Sequence, residues 1–195
     1  MQGGIVIPLT ALKAALRIPA ANTAHDALLH DLEAAAVAYV ERRTGWYWGE
    51  AQTATAVLIG DGTADLWLPD HASAVSAVVE RAYDGGTETP LAGADYALRK
   101  PPGATHGLRL VRRDGAVWTY GYEYVVTYTR GYTETAPASG DSPADVAAPD
   151  DIRQAVTGLV TLWFEQAIPV ALGTVAQPVP DHVADILAAR RKGRF

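Results

Sequence analysis

Apolar positions follow three successive patterns along the chain. Leu9-Thr10-Ala11-Leu12-Lys13-Ala14-Ala15-Leu16-Arg17 is a short amphipathic turn stopped near Pro19. Leu28, Leu32, Ala35, Ala36, Tyr39 and Val40 then recur at three- and four-residue spacing. That stripe predicts a helix from a cap at Asn22 or Thr23 to about Arg43. Thr44-Gly45 closes it, because glycine suits the left-handed position after a helix end.

From about residue 53 to 130 the period shortens to that of strands. Residues 53–59 and 64–68 flank a Gly-Asp-Gly-Thr turn, and 75–83 and 96–99 flank Asp84-Gly85-Gly86-Thr87 and a short loop. Residues 108–112 and 116–120 flank Arg113-Asp114-Gly115, and 122–130 form the last and longest strand. Recurring Asp-Gly turns between β-branched runs predict hairpins in an antiparallel meander of six or seven strands. Such a sheet either curls into a small barrel or packs on the helices.

The third pattern begins after Tyr132. Residues 133–149 contain Pro137, Gly140, Pro143 and Pro149 and only acidic charges, a loop long enough to be functional or mobile. Pro149-Asp150-Asp151 then opens a helix whose stripe is Ile152, Ala155, Val156, Leu159, Leu162 and Trp163. It ends before Pro169, and a Pro/Gly/Val linker over 169–180 leads to a short helix at 181–189. The expected class is α+β. A helical body, made of N- and C-terminal helices packed together, has a central antiparallel β meander or small barrel inserted between them. The parts are 1–45 (N-terminal helical), 46–132 (β-rich insertion), 133–149 (acidic loop), 150–168 (helix completing the body) and 169–195 (linker and C-terminal arm).

Composition narrows the function classes. At 195 residues the chain fits one domain, or a domain with an embedded subdomain, and buries roughly 70% of its unfolded surface. Its 49% hydrophobic and 19% charged content is that of a globular protein. A formal net charge of −6 argues against a general nucleic-acid binder. The absence of cysteine excludes disulfides and thiolate metal sites. The N-terminal MQGGIVIPLT lacks a signal-peptide pattern, and the apolar runs fall short of the ~20 residues of a membrane span. A soluble protein made in the cytoplasm, without membrane contact, is expected.

Candidate chemistry is sparse. His25 and His30 are five apart, whereas helical zinc ligands sit four apart, so they read as a solvated helix face. Asp61 to Asp65 lacks the further acidic ligands and closing glutamate of a calcium loop and reads as a hairpin turn. There is no P-loop and no Gly-x-Ser-x-Gly elbow, so neither enzyme activity, cofactor nor metal is expected. Trp46-Tyr47-Trp48, Trp67, Trp118 and the series Tyr120, Tyr122, Tyr124 and Tyr128 allow a sugar-stacking platform in a β-rich ligand- or carbohydrate-binding module. Core or interface packing is the favoured reading of these aromatics. Charge gives a sharper signal. From Ala184 to Phe195, Asp185 stands against Arg190, Arg191, Lys192 and Arg194, a net +3. From 133 to 151, Glu134, Asp141, Asp145, Asp150 and Asp151 give −5 with no basic residue. The C-terminus is either a frayed, solubilising tail or a docking tail that orders on a partner.

The order of short motifs carries a family resemblance. Leu12-Lys13-Ala14-Ala15-Leu16-Arg17-Ile18 comes first, then Asp26-Ala27-Leu28-Leu29, with that helix ending in Glu41-Arg42-Arg43-Thr44-Gly45. Leu66-Trp67-Leu68-Pro69 and residues 75–79 follow, then Tyr128-Thr129-Arg130-Gly131-Tyr132 and Pro149-Asp150-Asp151-Ile152-Arg153-Gln154-Ala155. To about residue 167 the chain resembles the head–tail connector (adaptor, head-completion) proteins of long-tailed bacteriophages and gene transfer agents. The resemblance implies a structural virion protein at the neck, assembled in the bacterial host cytoplasm. It implies a ring of identical subunits, commonly twelve-fold, bound below the portal protein and meeting a stopper, head-closure or tail component on the far side. Genomic DNA would pass through the channel without sequence-specific binding. By the same resemblance residues 181–195 would be a portal-binding arm, with Asp181, Ile186, Leu187, Arg190, Arg191, Lys192, Arg194 and Phe195 as its contacts. The acidic loop departs from the family pattern; Glu134, Asp141 and Asp145 would line the channel or contact the next ring.

Overall fold

The computed structural model describes residues 7–82, 86–100, 102, 106–113, 115–132, 148–166 and 179–192. It is an α+β protein in which the described residues form four helices in one unit and a six-stranded sheet in another. The helical unit comprises the described parts of 1–50, 132 and 148–192; the sheet unit comprises those of 51–131.

In the helical unit, α1 spans Leu9–Ala15, α2 Asp26–Thr44, α3 Asp150–Gln166 and α4 Asp181–Ala189. The N- and C-terminal helices pack together as the pattern predicts, with α3 against α1, α2 and α4. Ile152, Ala155, Val156 and Leu159 of the predicted stripe are fully buried, joined by Val160, while Leu162 and Trp163 are half-buried. The stripe of α2 is rotated by one residue from the predicted one. Leu29, Glu33, Ala36, Val37, Val40 and Thr44 face inward, and Leu28 and Ala35 are exposed. The helix begins after His25 without a side-chain cap; Asn22 instead accepts from the Ala24 amide, 3.0 Å away. Gly45 ends the helix as expected, at φ +78° with its N–H on the Glu41 carbonyl.

The sheet is antiparallel throughout, but its order is β1-β6-β2-β5-β4 rather than that of a meander. Its strands are β1 (Gln52–Ile59), β2 (Asp65–Ala82), β4 (Tyr96–Arg99), β5 (Gly107–Arg112) and β6 (Tyr122–Arg130), with the two-residue β3 (Thr89–Pro90) beside β2. The last strand inserts between the first two, pairing Ala54 with Tyr128 on one side and Val78 with Val126 on the other. The two predicted strands 64–68 and 75–83 are one 18-residue strand. Pro69 interrupts the ladder only locally, at the register shift between Trp67 and Ala72, where a missing amide is tolerated.

Residues 116–119 are not a strand. Trp118 donates its amide to the Thr63 carbonyl at 2.7 Å and accepts from the Gly62 amide at 2.8 Å, so the segment closes on the Gly60–Thr63 turn. One face of the sheet holds Leu66, Leu68, Val78, Tyr96, Leu110, Trp118, Tyr124, Val126 and Tyr128 as its core.

Candidate functional site

The sequence reading concentrates binding chemistry in two oppositely charged stretches and in the aromatics. Most of the aromatics are structural. Trp118 lies edge-on to Tyr124 at 4.8 Å and donates its indole N–H to the Ala64 carbonyl. The Tyr124 hydroxyl donates to Glu80 at 2.7 Å and accepts from the Thr119 amide at 2.9 Å, which satisfies it inside the sheet core. Trp48 is buried in the helical unit, stacked on Tyr132 at 5.7 Å, with its indole N–H on the Thr44 hydroxyl at 2.7 Å. Burial pushes the Tyr132 phenol well above its usual pKa. Of the aromatic series, Trp67, Tyr120 and Tyr122 stay exposed at the surface of the sheet unit.

The turn at Asp61 is held internally. Its carboxylate accepts from the Thr63 hydroxyl at 2.7 Å and from the Thr63 amide at 2.9 Å, and these bonds keep its carboxyl below the usual range. The His25 ring is edge-on to Phe164 at 5.4 Å. Among the described residues no group of three or more His, Asp or Glu side chains is placed to hold a metal ion. None of their helices is long and apolar enough to cross a membrane.

The described part of the C-terminal segment, to Lys192, is packed rather than free. The sequence reading sets residues 181–195 beyond the core helices, whereas α4 buries Val183 completely and Leu187 almost so. A methyl added at Gly158 of α3 would stand 3.3 Å from Val183, so the glycine lets the two helices approach closely. Asp181 opens α4 at the surface and Ile186 is half-buried. The missed signal is the amphipathic spacing of Val183, Ile186 and Leu187, which marks a docked helix as well as an arm.

The three described cations at its end have different fates. Arg190 forms a two-bonded ion pair with Asp151, at 2.7 and 3.0 Å. Lys192 donates its amide to the Thr44 carbonyl at 2.6 Å and sets its ammonium 4.5 Å from the centre of the Trp46 ring. Its stem packs at 3.2 Å from where a side chain on Gly45 would begin. Arg191 faces an open groove of about 350 Å³ between the C-terminal ends of α2 and α4, together with Arg42 and Arg43. Leu187, Ala184 and Ala188 supply the apolar lining. The Arg43 guanidinium is held over the Tyr39 ring at 5.3 Å and donates to the Tyr39 hydroxyl at 3.1 Å. Among the described residues no carboxylate forms an ion pair with Arg42, Arg43 or Arg191. The sequence shows each of these arginines, but not that a helix end 148 residues away brings Arg191 to Arg43. Arg194, Phe195, Glu134, Asp141 and Asp145 lie outside the described residues, as do the acidic loop over 133–147 and the linker over 169–178.

No family model matches the chain, and no curated protein matches it. Solved structures do. A chain in the neck of an empty gene transfer agent particle, computed with sixfold symmetry, aligns over 97% of this chain and 91% of its own, with 22% identity and a TM-score of 0.64. A chain in the virion of a native gene transfer agent particle aligns over 97% and 91%, at 24% identity and a TM-score of 0.62. A chain in the neck of a native particle, computed with twelvefold symmetry, covers 99% and 95%, at 25% identity and a TM-score of 0.57. Across both units, therefore, this chain has the fold found in the neck of gene transfer agent particles.

Proposed function

We propose that the protein is a structural component of a virion neck, a head–tail connector that forms a ring below the portal. The observation that carries this reading is the extent of the fold match. It covers nearly the whole of this chain and nearly the whole of chains from gene transfer agent necks, helical and sheet units alike. The ordered sequence motifs lead independently to the same family. Neck structures computed with sixfold and twelvefold symmetry support a cyclic arrangement, with twelve copies as the reading. Its role is mechanical: to join the DNA-filled head to a stopper or tail component and let DNA pass without holding it. A chain of net charge −6 suits a channel wall that does not bind phosphate. It acts without catalysis or cofactor.

The packing of α4 narrows the proposed portal contact. Leu187, Arg190 and Lys192 are engaged within the subunit, so the contact falls to the chain end beyond Lys192, with Arg194 and Phe195, on a base formed by α4. Co-sedimentation with portal-bearing heads tests the assignment. The full-length protein should travel with heads, and a chain ending at Lys192 should fold but fail to attach. Failure of the full-length protein to travel with heads would contradict the connector role; attachment of the shortened chain would contradict the contact alone.

A further inference from the structure

The groove between α2 and α4 has a composition that asks for a particular occupant. Arg42, Arg43 and Arg191 present three guanidinium groups around a lining that includes Leu187 and Ala184. All three are exposed, and no described carboxylate forms an ion pair with them. Guanidinium forks bind carboxylates through paired hydrogen bonds, and an apolar lining rewards a ligand with small apolar side chains. Duplex DNA matches the first property but not the second, and a chain of net charge −6 repels it.

The chain carries a segment that matches both. Residues 133–147 have no lysine or arginine and intersperse Glu134, Asp141 and Asp145 with Ala136, Pro137, Ala144 and Val146. The other two acids of the acidic stretch are already committed, Asp150 to Arg153 and Asp151 to Arg190. Residues 133–147 thus bring three carboxylates, against three arginines in the groove. A closed ring needs two different and complementary patches on each copy, because its contacts run head to tail.

We infer that the Arg42/Arg43/Arg191 groove receives the acidic 133–147 segment of a second copy of this chain, as one of the contacts that closes the ring. The inference rests on the ring reading above and supplies one of its interfaces. It assigns Arg191 to a neighbouring copy rather than to the portal.

Charge reversal with mixing tests it on the full chain. One variant carries Arg42→Glu, Arg43→Glu and Arg191→Glu; a second carries Glu134→Lys, Asp141→Lys and Asp145→Lys. Circular dichroism checks that both fold, as surface changes should. In native mass spectrometry, with portal present if portal is needed for assembly, each variant alone should lose the ring. Its assembly midpoint should rise by roughly tenfold or more, since like charges then face each other. An equimolar mixture should restore the ring, each reversed groove meeting a reversed segment on a different chain. Rings from the groove variant at wild-type concentrations would overturn the inference. So would rescue in one chain carrying all six changes without rescue in the mixture, which would place the segment in its own groove. Loss of portal attachment with the ring intact would overturn it in favour of portal as the occupant. A wild-type protein that stays monomeric even beside portal would instead remove the ring reading itself.

Discussion

Glu33 sits on the buried face of α2, 2% exposed, because its carboxylate accepts the Ile7 amide at 2.8 Å and ties the segment just before α1 to α2. Glu33→Ala leaves that amide unsatisfied in the core and should destabilise the helical unit by about 1–3 kcal/mol; Glu33→Gln, which keeps an acceptor oxygen, should cost clearly less. Urea unfolding of the two variants checks the ranking. His106 gives a pH dependence in the sheet unit. It is buried, and its Nε2 lies 2.9 Å from the Gly131 carbonyl, an arrangement in which that nitrogen donates. Burial holds its pKa below the ordinary value; the Gly131 bond opposes this and the Lys100 charge adds to it. A depressed histidine pKa means that the unfolded chain takes up the proton more readily. Its contribution to stability is therefore complete above about pH 6.5 and declines as the pH falls below that value. Melting temperature should drop between pH 7.5 and 5.5, and His106→Gln should flatten that drop.

At the scale of elements, the consequential one is α4. Removing residues 181–195 would expose the faces of α2 and α3 that Val183 and Leu187 cover, so the truncated helical unit should lose its cooperative transition. Removing only 193–195 should leave the melting curve unchanged. Val183→Asp, which puts a charge in a fully buried position, should behave like the long deletion, by more than about 3 kcal/mol. These contrasts show where the sequence was legible. The bounds of α4, β4 and β6 follow from local spacing and turn residues, and so do the Gly45 helix end and the apolar stripe of α3. Two features resisted because non-local partners decide them. The α2 stripe is displaced because a hydrogen-bonded glutamate occupies an apolar position. The sheet order departs from a meander because β6 satisfies both β1 and β2, and hairpin turns carry no record of that. The groove was invisible for the same reason: Arg42, Arg43 and Arg191 meet only once α4 docks.

At the scale of the whole molecule, Trp48 and Tyr132 are spent in the helical core and Trp118, Tyr124 and Tyr128 in the sheet core, which leaves Trp67, Tyr120 and Tyr122 as the exposed members of the aromatic series. The chain keeps charge in separated patches, which suits assembly with large partners. Assembly through charged patches has a salt signature. Association should weaken as ionic strength rises past the point where the screening length falls to about 8 Å, near 0.15 M. A ring held only by apolar contacts would ignore salt; sedimentation velocity across a salt series separates the two. The most direct test of the central claim is electron microscopy of the purified protein mixed with its portal. The connector reading predicts closed rings of this chain, stacked coaxially on the portal, with an open channel wide enough for duplex DNA. A protein that remains a free monomer beside intact portals would contradict it.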